Sequence, residues 1–339
     1  MRAMVLRGSR LHVEEVPAPE PGPGQVLARV RACGICGSDL HYARYAESLR
    51  AASRAERGIL AGAGDGVVMG HEFVAEVASV GEGVSGWQPG ERVVSIPVLA
   101  GEGGRHSIGY SAEYPGAYGE QVVLSAALLL RVPASLPDAL AALTEPCAVA
   151  LHAVREAKVE RGGRALVMGA GPIGLLTALW LKREGISVAV SDPAGPRRRL
   201  AERVGADLVL DSASEDLGGR LVDFGGPPSI VFECVGVQGT LQEAMTLVAP
   251  RGRVVVVGVC MVEDRIRPLL AINKHLTLQF VLGYNADEFA EALGALASGA
   301  VDAAPLVTRT VSLDELPAAF EALSDPSDCK VVLTFPGAR

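Results

Sequence analysis

The stretch Arg164-Ala-Leu-Val-Met168-Gly169-Ala170-Gly171-Pro172-Ile173-Gly174-Leu-Leu-Thr-Ala-Leu-Trp180-Leu181 decides the fold. It passes from strand-forming residues through a glycine turn into an apolar helical run. Its uncharged part, residues 165–181, sits at the short limit for a membrane span, and Gly-Ala-Gly-Pro interrupts it; a buried strand, a turn and a buried helix account for it better. Gly169, Gly171 and Gly174 form G-x-G-x-x-G, with Pro172 and Ile173 opening the helix. The next strand, Ile186–Ser191, ends at Asp192, 23 residues beyond Gly169 and near the spacing of about 20 expected for a dinucleotide-binding βαβ unit. Gly169 permits the tight turn, Gly171 lets the backbone approach a pyrophosphate, and Gly174 lets helix and sheet pack closely. The helix N-terminus offers N–H groups and a positive dipole end to phosphates. Asp192 suits an adenosine ribose diol and would repel a 2′-phosphate, which favours NAD over NADP. Arg197 could reach a ribose or a phosphate. The alternative is a glycine turn of an unspecialised α/β sheet with Asp192 solvated at a strand end.

Reading outward, strands and helices alternate on the C-terminal side. Arg197–Val204 and Gly239–Val248 read as helices, and Leu208–Leu210, Ile230–Cys234, Gly252–Gly258 and Leu276–Leu282 as strands, which implies a parallel sheet covered on both faces. On the N-terminal side, Pro137–Lys158 is helical. Before it, Leu11–Val16, Gln25–Ala32, Phe73–Val80, Glu91–Pro97 and Gln121–Leu124 are short β runs punctuated by Gly and Pro, as in a compact antiparallel barrel. Residues 43–57 read as an exposed helix. The tail returns to a helix, a strand near Val307–Val311, a helix from Leu313 and a last strand at Lys330–Phe335. The 339 residues then divide into a split domain, 1–148 with 286–339, interrupted by a nucleotide-binding domain, 149–285.

The net charge of −8 without a basic block argues against nucleic acid and anionic membranes as partners. The first residues lack an apolar leader and a cleavage site. Six cysteines in a long chain do not make a disulfide scaffold, so a cytoplasmic protein is expected.

The second cluster is Cys33-Gly-Ile-Cys36-Gly-Ser38-Asp39-Leu-His41, followed by Gly70-His71-Glu72 and by Thr144-Glu145-Pro146-Cys147. Cysteine, histidine and carboxylate are zinc ligands, and three protein ligands leave a position for water or substrate. Alone, Cys33-x-x-Cys36 could be a redox pair or half a zinc ribbon; no second C-x-x-C completes the latter.

Taken in order, Gly-Ile-Cys36-Gly-Ser-Asp-Leu-His41, Gly-His71-Glu72, Glu145-Pro146 and Gly169-Ala-Gly-Pro-Ile-Gly174 resemble the zinc-dependent medium-chain dehydrogenase/reductase family, in its sorbitol, threonine and butanediol dehydrogenase branch. The resemblance implies an α/β chain with a GroES-like β-barrel domain and a Rossmann domain, and a zinc- and NAD-dependent alcohol dehydrogenase acting on a small alcohol or ketone. Cys36 and His71 would be fixed zinc ligands. Glu72 would ligate directly or sit behind the metal, Glu145 would stand where this branch has its carboxylate, and either carboxylate would exchange with water. Ser38 would contact the substrate oxygen, His41 would carry the proton onward, and Asp39 would orient the His71 imidazole. A homodimer or homotetramer is implied by the same likeness.

The chain departs from that pattern in three places. Residues 95–120 carry no cysteine, where many relatives hold a structural zinc; one zinc per chain is expected. The Cys36–His71 interval is longer than in sorbitol dehydrogenases. The surplus falls on residues 43–66, either a lid or wall at the substrate entrance or a solvated excursion. Val281-Leu282-Gly283-Tyr284 stands where sorbitol dehydrogenases carry Phe-Arg-Tyr, which weakens a polyol assignment and favours a less polar secondary alcohol. Two other classes compete: a zinc-free NADPH-dependent quinone or enoyl reductase, and a non-catalytic dinucleotide-binding protein.

Overall fold

The computed structural model describes residues 1–8, 10–45, 66–101, 104–323 and 325–335. Packing divides the chain into two units, Met1–Glu145 with Val307–Arg339, and Pro146–Leu306. The sequence reading places these edges at 148/149 and 285/286. By packing, helix Ala286–Ser298 stays with the second unit. Asn285 and Glu288 form its capping box, and Glu288 also lies 3.0 Å from His152 Nδ1, which ties the helix start to helix Thr144–Ala157.

Ten strands of the first unit precede the second unit in the chain, counting described residues: β1 (Arg2–Arg7), β2 (Arg10–Glu15), β3 (Gln25–Gly34), β4 (Val67–Val68), β5 (Glu72–Val80), β6 (Arg92–Ser95), β7 (Val98–Gly101), β8 (Gly104–Ser107), β9 (Gln121–Ser125) and β10 (Leu129–Arg131). β17 (Val307–Val311) and β18 (Lys330–Thr334) follow it. The larger sheet runs β10-β6-β5-β3-β18-β17, and β9 also pairs with β3. β3 is the hub because Val26, Ala28 and Val30 alternate inward with Arg29 outward, the period-two pattern of a half-buried strand. The expected antiparallel arrangement holds except at β17 and β18, which run parallel because helix Leu316–Ala322 carries the chain across between them. Residues 37–45 are helical; the rest of the anticipated 43–57 helix and most of the 43–66 surplus fall on residues 46–65, outside the described residues.

In the second unit six strands pair in the order β13-β12-β11-β14-β15-β16, all parallel. They are β11 (Arg164–Met168), β12 (Ser187–Ser191), β13 (Leu208–Leu210), β14 (Ile230–Glu233), β15 (Arg253–Val256) and β16 (Thr277–Phe280). Val167, Val190, Val231 and Val254 are buried, which explains why these strands read as unbroken apolar runs. The chain winds from β11 to β12 on one side and later to β14 on the other, so the order reverses beside β11. The long helix expected over Pro137–Lys158 is two, Asp138–Ala141 and Thr144–Ala157. At the break the Thr144 hydroxyl donates to the Ala141 carbonyl at 2.8 Å. Helices Leu217–Asp223 and Pro268–Lys274 are not foreseen, since the first contains Gly218-Gly219 and the second is short and mostly exposed.

Candidate metal centre and nucleotide loop

The antiparallel register of β3 and β5 sets Gly34 opposite Glu72 and Cys33 opposite Phe73. Two segments leave this ladder at the same end: the chain after β3, which carries Cys36, Ser38 and Asp39, and the chain before β5, which carries His71. Ligand atoms of Cys36, His71 and Glu72 lie within 4.8 Å of one another, the one such group among the described residues. A methyl group on Gly34 would overlap a Glu72 carboxylate oxygen. That position therefore needs glycine for Glu72 to turn inward.

Asp39 is fully buried. One of its oxygens accepts from the Cys36 backbone N–H at 3.1 Å and from the Tyr118 hydroxyl at 2.6 Å. The other faces His71 Nδ1 at 3.4 Å, and neither of those two atoms has a closer partner. Burial disfavours the imidazolium form of His71, but Asp39 and the Cys36 sulfur outweigh it and raise its pKa well above the usual value. The Ser38 hydroxyl donates to Cys36 Sγ at 3.0 Å and accepts from the Tyr110 hydroxyl at 2.7 Å. Burial, Asp39 and Cys36 keep the Tyr110 phenol protonated, with the Glu145 charge adding to the effect. His41 shares a helix face with Ser38, three residues away. Burial and then Arg44 lower its pKa, so the ring is neutral near pH 7.

Glu72 is not alone. Lys330 on β18 places Nζ 2.6 and 2.8 Å from its two carboxylate oxygens and donates to the Ile35 carbonyl at 3.0 Å. The side chains are 2% and 1% exposed. Burial would lower the lysine pKa; Glu72 and then Cys36 raise it instead, so the pair is ionic. Glu145 begins helix Thr144–Ala157, half-buried. It stands outside the Cys36–His71–Glu72 group. Cys147, buried and with its thiol pushed up to about 12 by burial, accepts the Trp180 indole N–H at its carbonyl and is a packing residue. Sequence reasoning missed Lys330, Tyr110, Tyr118 and Gly34. The one available signal was a lysine leading the apolar run Lys330-Val-Val-Leu, where a buried cation demands a buried acid.

The donor set suits zinc, a borderline metal that takes thiolate, imidazole and carboxylate. The facing, otherwise unpartnered Asp39 and His71 atoms suit an imidazole whose other nitrogen binds a metal.

In the second unit Gly169 has φ +93°. A methyl group on Gly174 would overlap the Gly169 carbonyl oxygen, so the loop closes on the helix only without a side chain there. Gly171 is the N-cap of helix Pro172–Arg183, with no side-chain cap. The first turn thus leaves N–H groups for a ligand. Asp192 is buried and accepts from the Ala170 N–H at 2.9 Å and the Ala194 N–H at 2.8 Å. It therefore braces the loop as well as ending the strand. Arg197 brings its guanidinium over Gly171, and its buried Nε has no hydrogen-bond partner. Arg198 instead caps the Asp192 and Pro193 carbonyls and pairs with Asp211. These features fit a pyrophosphate and a ribose. A separate cavity of about 400 Å³ lies at the carboxyl ends of β14, β15 and β16, lined by Glu233, Thr240, Gly258 and Phe280 and by none of the loop glycines.

Two family descriptions match this chain: an alcohol dehydrogenase GroES-like domain over residues 22–134 and a zinc-binding dehydrogenase over residues 172–298. (R,R)-butanediol dehydrogenase of Bacillus subtilis is 34% identical over 90% of this chain and 90% of its own. Its solved structure superposes with a TM-score of 0.85 over 98% of this chain and 99% of that one, at 31% identity. Human sorbitol dehydrogenase is 32% identical over 95% of this chain and 92% of its own. A protein of Sinorhizobium meliloti 1021, solved bound to NADP, is 27% identical, with a TM-score of 0.85 over 98% and 99% of the two chains.

Proposed function

The chain belongs to the zinc-binding alcohol dehydrogenase family, and from that premise we propose that it moves a hydride between a secondary alcohol, or its ketone, and NAD at a single zinc. The observation that carries the reading is the convergence of Cys36, His71 and Glu72 with a serine hydroxyl already bonded to the cysteine sulfur. Cys36 and His71 act as the fixed ligands. Glu72, both of whose oxygens are taken by Lys330, would add negative charge near the metal rather than ligate it, and Glu145 would supply the exchangeable carboxylate. Held by Cys36 and His71, a zinc ion would supply a Lewis acid for the substrate oxygen, and NAD on the glycine loop would supply the hydride acceptor. The protein does the rest. Ser38 takes the hydroxyl proton as it gives up its own to neutral His41, His41 passes a proton to water, and Asp39 keeps the His71 ring in one tautomer.

Gly169, Gly171, Pro172, Ile173 and Gly174 cradle the pyrophosphate, Arg197 contacts a phosphate or ribose, and Asp192 selects NAD over NADP. The apolar Val281-Leu282-Gly283 stretch supports a substrate less polar than a polyol. The zinc-free reductase reading lacks support, because it leaves a half-buried thiol beside a buried imidazole and carboxylate without a task.

A homo-oligomer fits the second unit. β16 ends the sheet, and its last residue Phe280 and Leu282 just beyond it are 69% and 74% exposed; an apolar strand edge of this kind invites pairing with a second copy. All six cysteines are free thiols, which supports a reducing compartment such as the cytoplasm. Among the described residues no helix is long and apolar enough to cross a membrane.

The test combines zinc analysis of the purified protein with NAD reduction across primary, secondary, cyclic and polyol alcohols. One zinc per chain and the highest kcat/KM on secondary alcohols are expected. Metal-free protein that reduces quinones with NADPH would replace this reading.

A further inference from the structure

The segment without cysteines, residues 95–120, brings Tyr110 to the metal-ligand group and Tyr118 to Asp39. Its backbone is fastened to the segment between β4 and β5 that carries His71: Gly116 N–H donates to the Val68 carbonyl and Ala117 N–H to the Gly70 carbonyl, at 2.8 and 2.9 Å. A methyl group on Gly116 would overlap the Met69 and Gly70 carbonyl oxygens, so the two segments touch backbone to backbone. Tyr110, within this segment, lays its ring 5.2 Å from the His71 ring and 5.4 Å from that of Tyr42. Its hydroxyl donates to Ser38 Oγ, and Ser38 donates to Cys36 Sγ.

A serine hydroxyl has one proton and two lone pairs. Tyr110 fills one lone pair, which leaves Ser38 one acceptor position and one donor. Ser38 can then accept from a substrate hydroxyl only if its own proton points elsewhere. The direction of its hydrogen bonds is set before substrate arrives.

We propose that Tyr110 is the positioning residue for Ser38, its hydroxyl fixing the serine rotamer and the direction in which Ser38 accepts the substrate proton. This rests on the alcohol dehydrogenase reading above. The ring holds its place by packing against His71 and Tyr42, so the hydroxyl alone can be removed.

The experiment compares Tyr110→Phe, Ser38→Ala and the double variant. Loss of one neutral hydrogen bond predicts that Tyr110→Phe lowers kcat about three- to tenfold, with KM within about twofold. Ser38→Ala lowers kcat further, and adding Tyr110→Phe to it changes nothing more, because Tyr110 acts only through Ser38. Tyr110→Ala also loses the ring and should weaken folding; Tyr110→Phe restores the fold without restoring kcat. A second readout needs no turnover. In zinc-stripped protein, iodoacetamide labelling of Cys36, mapped by mass spectrometry, should shift in the same direction in Tyr110→Phe and, by more, in Ser38→Ala, with the double variant no different from Ser38→Ala. Unchanged kcat in Tyr110→Phe, or additive effects in the double variant, overturns the proposal. If wild-type protein turns over no alcohol, the alcohol dehydrogenase reading fails instead, and the labelling pattern alone decides whether Tyr110 sets the Ser38–Cys36 contact.

Discussion

The metal-ligand end of the first unit and the glycine loop of the second are built in opposite ways. The first is made of side chains: a thiol, an imidazole, a carboxylate and a buried lysine, each with a named partner. The second is made of backbone, with glycines that keep space open and N–H groups that point into it. A site of the first kind fails when an atom is taken away. A site of the second kind fails when an atom is added.

The sharpest subtraction is Cys36→Ser. It should drop zinc content to background and kcat by about a thousandfold or more, since a Lewis acid contributes several kcal/mol to the barrier. Wild-type turnover by zinc-free Cys36→Ser protein would remove the metal from the mechanism. The raised His71 pKa adds a sign. Metal binding needs the neutral ring, so zinc must displace a proton, and retention against a chelator should weaken as pH falls through the neutral range. Flat retention from pH 8 to 5.5 would place the metal elsewhere.

Lys330→Met is the next subtraction. It strands Glu72 in a site 1% exposed, which costs about 3–5 kcal/mol of stability. Urea denaturation should show it, and adding Glu72→Leu should recover most of the loss. No recovery would mean that Lys330 is held by more than this pair.

Addition is tested at Gly174. Alanine there pushes on the Gly169 carbonyl, and a loop displaced by about 1 Å should lower kcat/KM for NAD about a hundredfold. Zinc content should stay at the wild-type level. Loss of zinc in Gly174→Ala would show that the two sites do not fail independently.

The two sites also differed in how much of them the sequence disclosed. The glycine loop was legible almost whole, because local contacts make it: Gly169, Gly174 and Asp192 lie within one βαβ stretch, and spacing alone brings them together. The alternation of strands and helices told the parallel sheet for the same reason. Cys36 and His71 stood out by residue type and by resemblance. Lys330 did not, because its partner Glu72 is 258 positions away in the chain and only the β3–β18 pairing brings β18 to that end of β3. Tyr110 was hidden in a segment defined by what it lacks. The parallel β17–β18 pair was implicit in the strand–helix–strand order of the tail, whereas the break before Thr144, bridged by its hydroxyl bond to Ala141, leaves no mark in an Ala/Leu-rich run.

The smallest expected effect is at Asp192, the one side chain on which the backbone site depends. Its carboxylate accepts two loop N–H groups, yet a carboxylate has about four acceptor positions, so room remains for a ribose diol. These roles predict different outcomes for Asp192→Ala. If the carboxylate only braces the loop, the variant loses NAD and NADP in equal measure and their kcat/KM ratio stays put. If it also meets the ribose, removing it takes away a charge-assisted bond to NAD and a repulsion against the 2′-phosphate of NADP. The NADP/NAD ratio of kcat/KM should then rise about tenfold or more. Arg197, whose Nε is buried and unpartnered beside Gly171, supplies the cation that would meet the added phosphate. Asp192→Ala combined with Arg197→Gln should therefore give back much of that rise, and a ratio unmoved by the second change would leave Arg197 to the pyrophosphate alone.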